Sequence, residues 1–406
     1  MNKIELLIPA GDLSRCKTAI DFGADAVYIG GFAYSLRHRA SNFSLDDIKE
    51  AVNYAHQRQR KIYVTVNMLF HDEDMIGIED YLQQLNSIGC DAVITASPYL
   101  LSLKEKLGLQ YQFHMSTQLS LLNSLDCAYF QNLGAERIVL ARELSLTAIK
   151  ALKEHSSIDL EVFVHGALCS NYSGRCILSN EMTGRDANRG GCAQSCRWDY
   201  NLFAEEKQIN QEDCFFSLSS KDLCGLEYVP DLIACGIRSL KIEGRMKSAY
   251  YIAILTKAYR EYIDLYYENP KEAKASLSYY LQEVAKAENR STASGFLAGS
   301  VSCSGYLYQQ ESNFVNNQYV ANVLDYDDEK KMVKIQVRNL IRPNDYLEVI
   351  EAKKDKEKFR FKVEKIYDEA MTEIEAANKP MMLAYLPVEF PLTSGAFIRK
   401  DNKDDI

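Results

Sequence analysis

One phrase recurs along the first 250 residues and limits the fold more than any other feature. Gly23-Ala-Asp-Ala-Val-Tyr-Ile-Gly30 returns as Gly89-Cys-Asp-Ala-Val-Ile-Thr-Ala96, as Gly134-Ala-Glu-Arg-Ile-Val-Leu-Ala141 and as Gly236-Ile-Arg-Ser-Leu-Lys-Ile-Glu243. Each copy follows a helix-like segment, so its glycine sits where a helix end favours a left-handed residue. One or two polar residues turn the chain, and a short apolar run then reads as a buried strand. Helix, glycine and strand in alternation build a parallel sheet.

Further strands read at 6–10, 62–67, 112–116 and 160–164, which completes a set of eight. Amphipathic helices fit between them, for example at 45–58 and 76–88. Eight strands alternating with helices within ~250 residues predict an α/β fold of the TIM-type (β/α)8 barrel class over residues 1–250. Pro9-Ala-Gly-Asp12 occupies the first turn in place of a G-x-G-x-x-G loop, which argues against a dinucleotide site. After residue 250 the pattern changes. A helical linker is expected over 251–290, with helices at 249–267 and 271–287. A small antiparallel β-barrel domain is expected over 291–400, with strands at 319–324, 332–337, 346–350, 359–363, 381–386 and 397–399. Residues 401–406 read as a solvated acidic tail.

A chain with 47% hydrophobic and 25% charged residues is globular rather than disordered. No apolar run approaches the ~18 residues of a membrane span, and the first residues lack the apolar core of a signal peptide. A cytoplasmic protein with no membrane partner is the expectation. Eleven cysteines, an odd number in such a chain, argue against a disulfide framework.

Four of them stand apart between the seventh and eighth strands. Cys169, Cys176, Cys192 and Cys196 follow the spacing C-x6-C-x15-C-x3-C, with glycines at 166, 174, 184, 190 and 191 that let the backbone wrap closely. Four thiols in one glycine-rich loop read as a metal site. Zinc ribbons favour C-x2-C knuckles, which are missing here, and the longer spacings suit a 4Fe–4S cluster at least as well. The plainer reading makes some of them packing thiols, the commoner fate of a cysteine.

The longer motifs carry a resemblance. Glu161-Val-Phe-Val-His-Gly-Ala-Leu-Cys169, Ser173-Gly-Arg-Cys-Ile-Leu-Ser179 and Gly191-Cys-Ala-Gln-Ser-Cys-Arg197 resemble the signature of the U32 peptidase family, the collagenase-like proteases. Leu7-Ile-Pro-Ala-Gly-Asp12 and Ser239-Leu-Lys-Ile-Glu-Gly-Arg-Met-Lys-Ser248 are similar to that family as well, so the resemblance spans nearly the whole chain. It implies iron–sulfur proteins that hydroxylate RNA bases or quinone precursors without molecular oxygen. The barrel followed by a small β-domain is most similar to the branch that makes 5-hydroxyuridine at the tRNA wobble position using prephenate. On that resemblance Cys169, Cys176, Cys192 and Cys196 hold a 4Fe–4S cluster. The implied partners are tRNA, a small anionic co-substrate such as prephenate, and a paralogous subunit.

A barrel gathers its active site at the C-terminal ends of its strands. Those ends supply His165, Lys241 and Glu243 as candidate catalytic groups, and Arg142, Arg245 and Asn67 as candidate substrate-binding groups. Arginine suits a carboxylate through its bidentate fork. Arg142 and Arg245 are expected to converge with the cysteine loop over one mouth. The plainer readings are a surface ion pair for Arg142-Glu143, a structural histidine, and mutual neutralisation of Lys241 and Glu243.

A formal charge of −9 disfavours a non-specific nucleic-acid coat but leaves room for a local basic strip. Residues 353–365 hold seven basic and three acidic residues, +4 in sum, with Phe359 and Phe361 interleaved. Lys353, Lys354, Lys356, Lys358 and Arg360 are therefore candidate RNA contacts. Arg37-His-Arg39 adds charge near the barrel mouth. Two rival readings stand beside the tRNA uridine hydroxylase. One is a peptidase, for which neither H-E-x-x-H nor G-x-S-x-G is present. The other is a non-catalytic iron–sulfur protein of RNA binding or maturation.

Overall fold

The computed structural model describes residues 3–36, 41–287, 290–307, 318–352 and 359–401. Lys353, Lys354, Lys356 and Lys358, the Arg37-His-Arg39 triplet and residues 402–406 lie outside the described residues.

All eight expected barrel strands form: β1 Glu5–Pro9, β2 Ala26–Gly30, β3 Lys61–Val66, β4 Ala92–Thr95, β5 Gln112–Met115, β6 Arg137–Val139, β7 Asp159–Gly166 and β8 Ser239–Ile242. They pair in parallel in chain order, and β8 joins both β7 and β1, so the barrel closes. The helices α1 Leu13–Asp21, α2 Leu45–His56, α3 Ile78–Ile88, α4 Pro98–Leu107, α5 Ser124–Asn132 and α6 Leu146–Glu154 alternate with the first seven strands. The four repeat glycines adopt the left-handed backbone their position demands, with φ of 110°, 84°, 95° and 80° at Gly23, Gly89, Gly134 and Gly236. Helix starts are capped locally. Ser44 and Asp47 form a reciprocal capping box on α2.

Two shorter helices follow in the chain, α7 Leu178–Thr183 inside the cysteine loop and α8 Val229–Ala234 before β8. The long helix α9, Ala249–Glu268, takes the place of the eighth barrel helix. Twelve of its residues are buried, and it packs against α1 and β1. Its position follows from its composition, since the apolar and tyrosine positions run almost all the way round. The next helix, α10, Pro270–Ala285, leads the chain onward to the second unit.

The barrel interior is charged. Arg137 on β6 pairs with Glu5 at 2.5 Å and Glu161 at 3.1 Å, and Lys241 on β8 pairs with Glu161 at 2.7 Å. All four are buried, two of each sign, and the Tyr63 hydroxyl donates to Glu5 at 2.7 Å. Burial alone would raise the Glu5 carboxyl, but Arg137 and Tyr63 hold it below its usual value. Burial, then Arg137 and Lys241, keep His114 neutral.

The six expected C-terminal strands also form: β9 Tyr319–Asp327, β10 Met332–Val337, β11 Tyr346–Ile350, β12 Phe359–Lys362, β13 Leu383–Pro387 and β14 Phe397–Lys400. They make one antiparallel sheet in the order β12-β11-β14-β9-β10-β13. Its two edges are joined not by a strand pair but by reciprocal bonds between Tyr367, just past β12, and Tyr385 on β13, each 2.9 Å. The core inside is apolar, built from residues such as Val323, Val333, Ile335 and Leu386. This unit rests on the barrel through Tyr250 stacked on Tyr319 at 4.6 Å, and through buried Arg399, which reaches Glu283 of α10 and Glu348 at 2.8 Å each.

Candidate active site at the barrel mouth

The chain leaves β7 at Gly166, where φ is +105° and an added Cβ would lie 2.4 Å from the Glu243 carbonyl, so only glycine fits. From there the cysteine loop crosses the mouth and is tied to the loops after three other strands. Beyond β6, Arg142 donates to the Ala167 carbonyl at 2.9 Å and approaches the Cys169 sulfur at 3.5 Å. Glu143 accepts from the Ser173 amide at 2.9 Å. Beyond β5, the Ser120 hydroxyl donates to the Ser173 carbonyl, and Gly174 lies so close to Gln118 that no Cβ fits. Beyond β3, the Leu69 amide donates to the Asn188 carbonyl at 2.9 Å, and Arg189 pairs with Asp74. The loop is a roof over the mouth.

Within the roof, Cys169 and Cys192 are exposed, whereas Cys176 and Cys196 are half-buried. Burial pushes the Cys196 thiol up, Arg197 opposes that rise, and Cys169 and Cys192 add to it. Cys169 and Cys192 each lie within electrostatic reach of Cys196. Among the described residues, no three His, Cys, Asp or Glu side chains are already gathered tightly enough to hold a metal ion. The donor types nonetheless suit a cluster: four thiols on one loop, two exposed and two half-buried, beside Arg142 and Arg197. Cys16, Cys90 and Cys127 are different. They are buried, and burial raises their thiols, Cys16 to about 12 and Cys127 to about 11, which suits packing rather than ligation.

A cavity of about 370 Å³ opens beside Arg142 and Cys169. Its far wall is the 293–306 segment, with Ser294 and Ser302, and Lys221 adds a second cation. Glu143 also lines the cavity, so its two cations exceed its carboxylates by one, and with a row of hydroxyls they suit a small anion.

The remaining predicted residues scatter. Arg245 does not join Arg142. It is buried on the β2–β3 side, where it donates to Ser35 at 2.9 Å, the Leu36 carbonyl at 3.0 Å and Asn42 at 2.6 Å. Those acceptors hold the guanidinium as a strut under the loop after β2. His165 faces outward. The register between β7 and β8 slips at Val164, and the imidazole meets Tyr259 at 3.1 Å and Tyr251 edge-on, both on α9. Strand bulges re-aim side chains in this way. Lys241 points into the barrel and is neutralised by Glu161, not by Glu243. Burial lowers its ammonium despite that partner. Glu243 is half-buried, its amide bonded to the His165 carbonyl at 2.8 Å. Asn67 bridges the loops after β2 and β5, accepting from the Leu36 amide at 3.4 Å and reaching Ser116 at 3.5 Å. Arg360 is exposed on the edge strand β12 and pairs with Asp401 at 3.3 Å.

Sequence reasoning missed Glu5, Arg137 and Glu161 inside the barrel, and Lys221 at the cavity. It also missed a short strand, Asp222–Cys224, that runs antiparallel to β7 at Gly166 and pairs with Thr292–Ala293. The available signal was a charged residue inside an apolar strand run, as with Glu161 between Leu160 and Val162.

A closed (β/α)8 barrel with a four-cysteine roof and a cationic cavity at its C-terminal mouth is laid out as a barrel enzyme. A family model for peptidase family U32 matches residues 11–305, and one for the U32 C-terminal domain matches residues 316–399. The chain is 40% identical over 403 residues to tRNA hydroxylation protein P1 of Bacillus subtilis, covering 98% of this chain and 95% of that protein. It is 39% identical over 322 residues to an uncharacterized protease of Methanocaldococcus jannaschii, covering 77% and 78%. It is 40% identical over 263 residues to the 23S rRNA 5-hydroxycytidine synthase of Escherichia coli, covering 65% of this chain and 40% of that protein. The chain belongs to peptidase family U32. Among the described residues no helix is long and apolar enough to cross a membrane.

Proposed function

We propose that this chain hydroxylates RNA, converting the wobble uridine of tRNA to 5-hydroxyuridine without molecular oxygen, with a 4Fe–4S cluster and prephenate as co-substrate. The observation that carries the reading is the roof itself. Four thiols lie across the open end of a barrel, and Arg142 touches both Cys169 and the cavity beneath. Relatives named as a tRNA hydroxylation protein and an rRNA hydroxycytidine synthase support an RNA base as the target.

Cys169, Cys176, Cys192 and Cys196 would hold the cluster, which supplies electron-transfer chemistry when bound. Replacing C5–H of uridine by C5–OH is a two-electron oxidation, and it balances if the co-substrate gives up its hydroxyl and its C–OH carbon is reduced to C–H; a cluster beside the cavity would relay those electrons one at a time. Arg142 and Lys221 would clamp the carboxylates of the co-substrate, and Ser294 and Ser302 would orient it. Glu143 holds the roof down through Ser173. The tRNA contacts are proposed for the basic edge that includes Arg360.

Anaerobic purification tests the cluster. Brown protein with about four irons and four sulfides per chain is expected, and serine at any of the four roof cysteines should lose them. Cys16→Ser and Cys90→Ser should not. One zinc per chain without acid-labile sulfide would sink the proposal.

A further inference from the structure

Charge also converges just outside the cavity, on a carboxylate that neither the barrel interior nor the proposed chemistry uses. Asp222 begins the short strand beside β7 and is fully buried. Three cations from three separate segments surround it: Arg290 at 3.0 Å, Lys247 at 3.5 Å and Arg197 at 3.7 Å. Lys247 follows β8, and Arg290 precedes Thr292–Ala293. Arg197 directly follows Cys196.

Arg197 does more than neutralise Asp222. The same guanidinium donates to the Leu168 carbonyl at 3.2 Å and to the Ser219 hydroxyl at 3.5 Å. Leu168 directly precedes Cys169. One largely, though not fully, buried side chain therefore grips both ends of the roof, next to its first and its last cysteine. A buried guanidinium is held in place only while a counter-charge faces it.

We propose that Asp222 is a positioning residue for the roof. Its carboxylate keeps Arg197 buried, and Arg197 in turn keeps Cys196 beside Cys169. Without the carboxylate, Arg197 turns out to solvent, the Leu168 bond is lost and the two ends of the roof separate. The iron readout below rests on the proposed cluster; the cross-link readout does not.

The test uses the full chain with Asp222→Asn, which keeps the shape and removes the charge. In metal-free protein, a short bis-thiol alkylating reagent should join Cys169 to Cys196 in the wild type, as mapped by peptide mass spectrometry. In Asp222→Asn the yield should fall at least about tenfold, because stranding a buried cation costs more than the ~1.4 kcal/mol that a factor of ten represents. Iron retained after anaerobic reconstitution should fall with it. Lys247→Met removes a different cation from the same carboxylate and should keep the cross-link. The double variant Asp222→Asn/Arg197→Met removes one of the three cations that Asp222→Asn leaves without their carboxylate, so its melting temperature should recover in part while the cross-link stays lost. Undiminished cross-linking in Asp222→Asn overturns the proposal. So does a double variant that regains cross-linking together with stability, since Asp222 would then serve only as a charge partner. A wild type that cross-links but takes up no iron would refute the cluster and leave the positioning role standing.

Discussion

The closed N-terminal barrel and the half-barrel of the C-terminal sheet are filled by opposite means. The C-terminal one encloses valine, isoleucine, leucine and alanine, and its strands alternate buried and half-exposed positions in the ordinary way. The N-terminal one encloses Glu5, Arg137, Glu161 and Lys241, with Tyr63 and His114 around them. An apolar core stabilises wherever it forms, whereas a buried ionic core stabilises little and fails when any one member is lost. The ionic set leads toward the mouth. The Phe163 ring lies 5.4 Å from both Lys241 inside the barrel and Arg142 at the site. The C-terminal unit draws its stability from apolar burial, whereas the N-terminal barrel keeps charged groups beneath its mouth.

Breaking the ionic core should give the largest effect. Arg137→Met leaves Glu5 buried without its cation and Glu161 with Lys241 alone, and a loss of about 3–5 kcal/mol is expected in urea unfolding. A loss below about 1 kcal/mol would mean that Lys241 and water suffice, and that the interior is less dry than its burial implies. Next comes Ile335→Ala in the apolar barrel, with an expected loss of about 2–5 kcal/mol from cavity formation. Because Tyr250, Tyr319 and Arg399 join the units, one shared transition is expected; two separate transitions would show that the units fold independently. Arg142→Ala should change stability little and abolish the modified nucleoside, whereas full activity would move the substrate away from the roof.

The smallest effect is a pH dependence of the roof edge. Hydrogen bonding from Arg189 holds the Asp74 carboxyl below its usual value of 3.8. The folded value is the lower one, so the stabilisation is complete above pH 3.8 and is lost as the pH falls through the lowered value. Pepsin cleavage near Arg189 should rise over that acid range in the wild type. Asp74→Asn should already be susceptible at neutral pH when probed with a neutral protease, with a flat profile below.

The fold was legible because its signals are local. The repeat's helix-ending glycine precedes four of the barrel strands, short apolar runs mark the other four, and turn-separated short strands mark the C-terminal unit, so each needs only its neighbours in sequence to be read. The grouping of the four roof cysteines was equally plain. The destinations of long side chains were not. Arg142 and Arg245 both follow a strand end, yet one reaches the roof and the other is taken by Ser35, Leu36 and Asn42, residues more than 200 positions away in sequence. His165 turned outward because of a register slip that no single-strand pattern reveals. Lys241 found Glu161 rather than Glu243, since strand neighbours in a closed barrel are set by closure and not by chain order.

On the proposed function, the cysteine roof serves RNA hydroxylation. Nucleoside mass spectrometry of tRNA from a deletion strain tests it most directly, with the strain complemented either by the wild type or by Cys169→Ser. The account predicts that 5-hydroxyuridine and its derivatives disappear on deletion, return with the wild type and stay absent with Cys169→Ser. An unchanged nucleoside profile in the deletion strain, or full restoration by Cys169→Ser, would contradict it.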